Sequence, residues 1–227
     1  VTRCADRYGR SACERGESDR ISMNLWQPRL MQNYTTLGFR KVRAPEKVYR
    51  LLRAFWRANR NSRLTEAWSE GDTYLNHWDM PTQMVNVDNP RLSGGGKELE
   101  WKIWDATREA IQEWIGKPLS TSSVYGIRIY RRGAVLAPHV DRLPLVSSAI
   151  INVDQDVNAP WPLEVIAHDG VAYNVTMEPG DMVLYESHSV VHGRPYPLQG
   201  SFYANVFVHF EPEGHNDRHA ARMKGEL

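Results

Sequence analysis

The chain has 227 residues, and its 28 Lys and Arg side chains nearly balance its 27 Asp and Glu side chains, which leaves a formal net charge of +1. A length of this order allows one large domain or at most two small ones. The balanced charge argues against a nucleic-acid-binding protein, and no apolar run approaches the ~18 residues that a membrane span needs. Two cysteines, Cys4 and Cys13, are too few to staple such a fold, so a packed core must stabilise it.

The chain divides into three parts by composition. Residues 1–44 are polar and Arg-rich with little periodicity, which predicts an irregular N-terminal arm. Residues 45–212 form the expected domain, with its core in residues 120–212. Residues 213–227 form a polar C-terminal tail.

Two amphipathic helices are predicted ahead of the core. The first begins at Pro45, which suits a helix start, and its apolar residues recur at helical spacing as far as Trp56. The second follows the flexible joint Gly94-Gly95-Gly96 and is stopped by Gly116 and Pro118.

From Ser122 onward the pattern changes to short strands. Asp169-Gly170 lies between two β-rich segments and predicts a hairpin with a type I′ turn, and residues 178–181 supply another turn. Helices followed by strands predict an α+β protein whose core is a double-stranded β-helix, or jelly roll, with helices packed outside it. The predicted strands cover residues 123–131, 145–153, 162–168, 171–177, 181–186 and 202–210.

The pattern His-x-Asp begins at His77, His139 and His215. On a strand, residues i and i+2 face the same side, so an imidazole and a carboxylate can bind one metal ion. A second histidine completes the two-histidine, one-carboxylate triad of non-haem iron(II) oxygenases. Only His139-Val-Asp141 follows a predicted strand and precedes several others, whereas His77 lies in a loop and His215 in the polar tail. We therefore predict His139 and Asp141 as ligands.

His192 is the predicted second histidine, and His188 is its rival. In an extended segment the two would stand ~13 Å apart, so only one can reach the ion. Gly193 permits a sharp turn after His192, which favours His192. We interpret His188 and His209 as structural, hydrogen-bonded histidines and His168 as a turn residue.

Several segments together resemble the prolyl 4-hydroxylase-type Fe(II)- and 2-oxoglutarate-dependent dioxygenases. The resemblance covers about residues 120–212. Its parts are Tyr130-Arg-Arg-Gly133…Pro138-His139-Val-Asp141, the strand ending Ile151-Asn152, the turn and strand from Glu178 to Tyr185, and His192-Gly193…Pro195…Gly200.

The resemblance implies that His139, Asp141 and His192 bind Fe(II), that 2-oxoglutarate and O2 are consumed, and that succinate and CO2 are released, with ascorbate as an optional reductant. It implies a prolyl residue of a polypeptide as substrate, with a free amino acid or another small molecule as the alternative. Trp161 and Tyr196 are candidate walls of the substrate entrance, and residues 71–93 are a candidate lid; the alternative is that these aromatic residues pack helices onto the sheet.

One part of the family pattern is missing. The family places a Lys or Arg nine or ten residues after the distal histidine, where it pairs with the far carboxylate of 2-oxoglutarate, and this chain has Ser201 and Phe202 there. A buried carboxylate needs a cation. Arg128, on the same strand face as Tyr130, and Arg194 are the candidate replacements, so the predicted co-substrate contacts are Tyr130, Arg128, Arg194 and Ser201.

Two alternatives to a 2-oxoglutarate-dependent hydroxylase stay open. The first is a cupin-type metalloenzyme that uses the same triad without 2-oxoglutarate. The second is a non-catalytic domain on a degenerate oxygenase fold, for which Ser201 and Phe202 are the motivating residues.

Compartment signals favour the endoplasmic reticulum lumen or secretory pathway, with the cytoplasm as the alternative. Asn33-Tyr-Thr and Asn174-Val-Thr are N-glycosylation sequons, and residues 224–227 (KGEL) differ in one residue from a lumenal retention signal. No signal peptide is present, which agrees with a chain that is already processed.

Overall fold

The computed structural model describes residues 2–216, and its N-terminal region is helical. Helix α1 (Thr2–Tyr8) and helix α2 (Arg10–Leu30) replace most of the irregular arm that the sequence predicted over residues 1–44, so that expectation was wrong. The reason is that α2 has almost no apolar periodicity, and Cys13 and Arg20 are its buried residues. A disulfide between Cys4 and Cys13 links the two helices.

Both predicted amphipathic helices are present. Helix α3 (Glu46–Asn59) follows Pro45, and helix α4 (Lys97–Ile115) ends at Gly116, whose φ of +68° is the left-handed conformation that glycine adopts readily. None of the helices in residues 2–216 is long and apolar enough to cross a membrane.

Two antiparallel sheets form the predicted jelly-roll core, so the α+β fold class is confirmed. The large sheet has the order β1-β9-β6-β11-β4-β3-β2, and the small sheet has the order β5-β10-β7-β8. The strands are β1 (Phe39–Arg43), β2 (Leu64–Thr65), β3 (Gln83–Asn86), β4 (Leu119–Arg131), β5 (Leu136–His139), β6 (Ser147–Val157), β7 (Leu163–Ile166), β8 (Ala172–Val175), β9 (Asp181–Glu186), β10 (Val191–Arg194) and β11 (Gly200–Pro212).

The six predicted strands are all present, and the sequence missed β1, β2, β3, β5 and β10. None of these five exceeds five residues, which is too short for an alternating pattern to stand out. The equally short β7 and β8 were found because the Asp169-Gly170 turn signal lies between them. Two of them, β5 and β10, pair with each other and carry predicted metal ligands.

The predicted β7–β8 hairpin forms, but its turn is not type I′. The Gly170 amide donates to the Ala167 carbonyl at 2.9 Å, so His168 and Asp169 are the central residues of the turn. Gly170 has φ +79°, and Asp169 does not have the positive φ that a type I′ turn requires. The left-handed conformation therefore belongs to one residue only.

The two faces of the large sheet have different roles. Along β4, Ile127 and Ile129 belong to an apolar cluster that also contains residues of α3 and α4, whereas Arg128 and Tyr130 point to the opposite, inner face. The inner face and the small sheet enclose the interior of the jelly roll.

Some residues named in the sequence analysis lie outside the described residues: Asp217, His219 and residues 224–227. The domain boundaries stay predictions.

Candidate metal centre

Three side chains with metal-binding groups meet at the edge of the small sheet. His139 on β5 lies directly opposite His192 on β10, and their ring centroids are 4.4 Å apart. Asp141 follows β5 closely, and its Oδ1 lies 3.6 Å from His139 Nε2. One ligand atom from each residue lies within 4.8 Å of the others. The structure thus brings together the three residues that the sequence selected.

Close approach of β10 and β5 depends on Gly193. It lies within β10 rather than in the sharp turn that the sequence suggested. A Cβ at this position would lie 2.8 Å from the Pro138 Cα, which real contacts essentially never show. The absence of a side chain therefore lets β10 bring His192 to His139.

Backbone hydrogen bonds orient both imidazoles. The Nδ1 atom of His139 lies 2.8 Å from the Ala137 carbonyl oxygen, and Nδ1 of His192 lies 2.8 Å from the Val190 carbonyl oxygen. A carbonyl only accepts, so Nδ1–H donates in each ring and the lone pair remains on Nε2. Both rings therefore hold the tautomer in which Nε2 can bind a metal ion.

The charge state of the cluster also suits a cation. Burial on its own would raise the pKa of Asp141, but the adjacent His139, His192 and His209 rings outweigh it and hold the pKa well below its usual range. Burial lowers the pKa of His192 to about 4. At neutral pH the carboxylate is charged and the imidazole is neutral, as metal ligands must be.

One carboxylate oxygen of the cluster lacks a partner. Oδ2 of Asp141 is buried and accepts no hydrogen bond from any residue in the range 2–216. Buried polar atoms without partners are rare, and a metal ion would satisfy this one. Two imidazole nitrogens and one carboxylate are also the donor set of non-haem iron(II) sites, so the residues present fit that metal.

Helix α2 supports the segment that carries the ligands, which the sequence did not predict. Asn24 donates to the Pro138 carbonyl at 2.8 Å and accepts from the Val140 amide at 2.9 Å. Gln27 donates to the Asp141 carbonyl at 2.7 Å. Because these contacts span more than 110 residues of sequence, no local pattern could have revealed them.

A second polar region lies beside the cluster and contains Arg194. Two residues after His192 on β10, Arg194 shares its strand face and is buried. Its guanidinium lies over the rings of Trp161 and Tyr203, at 4.8 and 4.5 Å from their centroids. It donates to the Trp161 carbonyl, and no carboxylate in residues 2–216 forms an ion pair with it.

Unpartnered polar atoms surround Arg194 and the facing part of the large sheet. The Tyr203 hydroxyl and both amide atoms of Asn205 are buried without hydrogen-bond partners in the described part of the chain, and the Tyr130 hydroxyl faces the Arg128 guanidinium. The Tyr130 and Tyr203 rings lie 5.1 and 5.3 Å from the Trp161 ring. Burial raises the pKa of Tyr130, so its hydroxyl remains a donor at neutral pH.

Arg128, the other predicted cation, already has a partner. Its Nε and Nη2 atoms donate to the two Glu66 carboxylate oxygens at 2.8 and 2.9 Å, and its guanidinium lies over the Trp68 and Phe207 rings. Glu66 therefore balances the charge of Arg128, which was predicted to pair with a co-substrate carboxylate. Glu66 lies 62 residues before Arg128, and no local pattern links the two residues.

The prediction of Ser201 as a co-substrate contact was wrong. The strand register shifts between Gly200 and Phe202, and the Ser201 side chain is exposed. Phe202 faces α3, with its ring 6.1 Å from Trp56. The irregularity thus turns both positions away from the interior and places Tyr203 there instead.

Three other histidines have the structural contacts that the sequence suggested. Ring nitrogens of His188 lie 3.3 and 3.1 Å from the carbonyl oxygens of Val146 and Gln32. Nδ1 of His209 lies 2.7 Å from the Ser148 hydroxyl. His168 lies in the β7–β8 turn.

The two histidines that were set aside on context differ in their surroundings. His77 lies in a loop, where its ring stacks on Tyr8 and Trp68. His215 is buried, and its Nδ1 lies 2.6 Å from the Tyr34 hydroxyl, so placing it in a polar tail was wrong. The long-range contact with Tyr34 explains why a polar local sequence still buries this ring.

The predicted entrance residues occupy different places. Trp161 is buried in the interior, and Tyr196 is exposed. Within the candidate lid, Tyr74 accepts a backbone hydrogen bond from Ala137 at 2.8 Å, and its ring meets His139 edge-on at 5.1 Å. This part of residues 71–93 therefore lies along β5 beside the metal-binding cluster.

No family model and no curated protein matches this chain. Among solved structures, the chain is similar to a Pseudomonas putida prolyl-4-hydroxylase at 20% identity, with a TM-score of 0.56 and coverage of 79% of this chain and 95% of the other. It is similar to a Trichoplax adhaerens prolyl hydroxylase, in complex with a hypoxia inducible factor peptide fragment, at 8% identity and TM-score 0.56, covering 90% and 94% of the two chains.

A third similar structure is HygX from Streptomyces hygroscopicus with nickel and 2-oxoglutarate bound, at 13% identity and TM-score 0.56, with coverage of 78% of this chain and 84% of the other. At such identities the likeness establishes the fold. The chain therefore has the fold of the prolyl 4-hydroxylase-type Fe(II)- and 2-oxoglutarate-dependent oxygenases.

Proposed function

We propose that this protein is an Fe(II)- and 2-oxoglutarate-dependent dioxygenase that hydroxylates a prolyl residue of a polypeptide. The observation that carries the proposal is the cluster of His139, Asp141 and His192, with both Nε2 lone pairs free and a carboxylate oxygen that has no partner within residues 2–216. The oxygenase fold supports the same assignment.

In this proposal the two Nε2 atoms and the Asp141 carboxylate hold Fe(II). Bound Fe(II) supplies the chemistry that couples oxidative decarboxylation of 2-oxoglutarate to C–H hydroxylation: R–H, 2-oxoglutarate and O2 give R–OH, succinate and CO2. The chain's own contribution is to fix the ligand geometry and to keep the site largely free of water. His139 and His192 are buried, and Asp141 is half-buried, which suits this task.

Two observations support a prolyl substrate. Two of the similar structures are prolyl hydroxylases, and one of them was solved with a peptide fragment. The Tyr74 ring lies beside His139, where an aromatic face can pack against a pyrrolidine ring. The likeness to HygX, which was also solved with hygromycin B bound, keeps a small-molecule substrate as the second candidate.

A hydroxylation assay tests the proposal. The Fe(II)-loaded protein is incubated with 2-oxoglutarate, O2, and a peptide of Pro-Pro-Gly repeats, and the peptide is analysed by mass spectrometry. We expect addition of one oxygen atom to prolyl residues and peptide-stimulated succinate release, with neither in His139→Ala. Succinate release that a matched Ala-Ala-Gly peptide stimulates equally would contradict prolyl specificity.

We also propose that the protein works in the secretory pathway. The Cys4–Cys13 disulfide supports an oxidising compartment, and both sequon residues, Asn33 and Asn174, are exposed. The protein is produced in a eukaryotic secretory host and treated with an endoglycosidase, which should lower its mass. Asn33→Gln and Asn174→Gln should each reduce this mass decrease by the contribution of one glycan. An unglycosylated protein with two free thiols would contradict this localisation.

A further inference from the structure

We infer that Arg194 binds the distal carboxylate of 2-oxoglutarate, in place of the basic residue that this chain lacks on its last strand. The inference deepens the proposed function and rests on it. Arg194 lies on β10, whereas the basic residue of the family pattern would lie on β11.

The position of Arg194 fits this role. The pairing of β10 with β5 is irregular between His192 and Arg194, but both side chains point into the interior of the jelly roll. The His192 ring meets Tyr185 edge-on, and the Arg194 guanidinium lies over the Trp161 and Tyr203 rings. A five-carbon diacid that is bound to the metal through its 2-oxo acid end can extend along β10 towards Arg194. Arg194 is the only Lys or Arg residue of β10 and β11.

The charge of Arg194 calls for an anion. The side chain is 2% exposed, and the acceptors near its nitrogens are the Trp161 carbonyl and the Met177 sulfur, the latter at 3.9 Å. A carbonyl and a thioether leave a guanidinium uncompensated, because neither carries a negative charge and sulfur accepts weakly. A carboxylate would pair with the guanidinium through two parallel hydrogen bonds.

The neighbouring hydroxyls complete the binding site. Tyr203 OH is buried without a partner in residues 2–216, and Tyr130 OH faces the Arg128 guanidinium. Both rings pack on Trp161, over which Arg194 also lies. A carboxylate can accept about four hydrogen bonds, more than one guanidinium supplies. One bound anion would therefore satisfy the Arg194 guanidinium and the Tyr203 hydroxyl together.

Arg128 provides the matched comparison. It also lies inside the jelly roll, but Glu66 accepts two of its hydrogen bonds and balances its charge. We therefore expect the distal carboxylate to depend on Arg194 and not on Arg128.

The test compares 2-oxoglutarate with 2-oxopentanoate, which has the same chain length and no distal carboxylate. Dissociation constants are measured by calorimetry on the Mn(II)-loaded protein without oxygen. Wild type should prefer 2-oxoglutarate by about 100-fold or more, because a site built for a charged group rejects the analogue that lacks it. In Arg194→Met this preference should fall below about tenfold. The control is a double variant, Glu66→Gln together with Arg128→Met, and it should keep the wild-type preference.

The outcomes separate this inference from the proposed function. If neither oxo acid binds wild type, the proposed function fails. If 2-oxoglutarate binds but Arg194→Met keeps the full preference, or the Glu66 and Arg128 control loses it, Arg194 is not the anchor and the proposed function stands. If Arg194→Met does not fold, Arg194→Lys replaces it. This variant should weaken the binding of 2-oxoglutarate by about tenfold and leave the binding of 2-oxopentanoate unchanged, because lysine cannot form the bidentate pair. A 2-oxoglutarate affinity equal to that of wild type would overturn the inference.

Discussion

The two faces of the large sheet are built from the same strands but serve different purposes. On the outer face, Ile127 of β4 and Val206 of β11 pack in an apolar cluster with helices α3 and α4. On the inner face, Tyr203 and Asn205 bury polar atoms that have no partner among residues 2–216. Alternation along a strand separates the two sets. The comparison suggests that the outer face provides stability and that the inner face gives up stability for ligand binding.

The largest expected effect is on the inner side, at the metal ligands. In His139→Ala a triad loses one of its three donors, so we expect Mn(II) binding to weaken by about 100-fold or more and turnover to vanish. Calorimetric titration with Mn(II) measures the affinity, and a thermal melt serves as the fold control. Unchanged Mn(II) affinity would remove His139 from the site.

A truncation on the outer face should have the opposite pattern. Ile129 is fully buried in the apolar cluster, so Ile129→Ala should lower the free energy of unfolding by about 2–5 kcal/mol. The affinity for Mn(II) should stay at the wild-type value, because Ile129 points away from the interior. Urea unfolding and the same Mn(II) titration check both statements. A large loss of affinity with little loss of stability would contradict the division between the faces.

A pH titration distinguishes the faces in another way. Burial lowers the pKa of His209 on the inner face of β11, so the unfolded chain binds a proton that the folded chain does not. The contribution of His209 to stability is therefore complete above about pH 6.5 and is lost as the pH falls below it, by at most about 1.4 kcal/mol per pH unit. His209→Gln should flatten this dependence, whereas Ile129→Ala should lower stability equally at pH 7 and pH 5. If stability depends on pH in the same way in wild type and in His209→Gln, His209 does not contribute to this dependence.

The smallest effect on stability is expected at Asn205. Both of its side-chain amide atoms are buried and unpartnered, so Asn205→Leu removes two unsatisfied groups at similar volume. We expect the metal-free protein to be unchanged or more stable by about 1 kcal/mol, while 2-oxoglutarate binds more weakly. Urea unfolding and calorimetry on the same preparation test both parts. Loss of several kcal/mol would mean that Asn205 holds the fold together.

The metal-binding cluster could be predicted because its signal is local. His139 and Asp141 lie two residues apart beside a strand, and His192 was selected over His188 because Gly193 follows it. The charge partner of Arg128 could not be predicted, since Glu66 comes from a distant loop. The orientation of Ser201 also depended on a register shift, and one irregular residue moves a side chain to the opposite face of a sheet.

The N-terminal helices were missed for a different physical reason. Apolar residues of α2 do not recur at helical spacing, and its contacts with the metal-binding segment are polar: Asn24 and Gln27 bind backbone groups near Pro138 and Asp141. Periodicity reports apolar burial, so a helix held by hydrogen bonds gives a weak signal. The strongly amphipathic α3 was predicted correctly on the same criterion.

The most direct test of the central claim is succinate release by the purified protein. Wild type and His139→Ala are each given 2-oxoglutarate and O2, with and without Fe(II), and succinate is quantified by mass spectrometry. The account predicts succinate from wild type only when Fe(II) is present, and none above background from His139→Ala. Equal release by both proteins, or none by an Fe(II)-loaded wild type that also fails to bind 2-oxoglutarate, would contradict it.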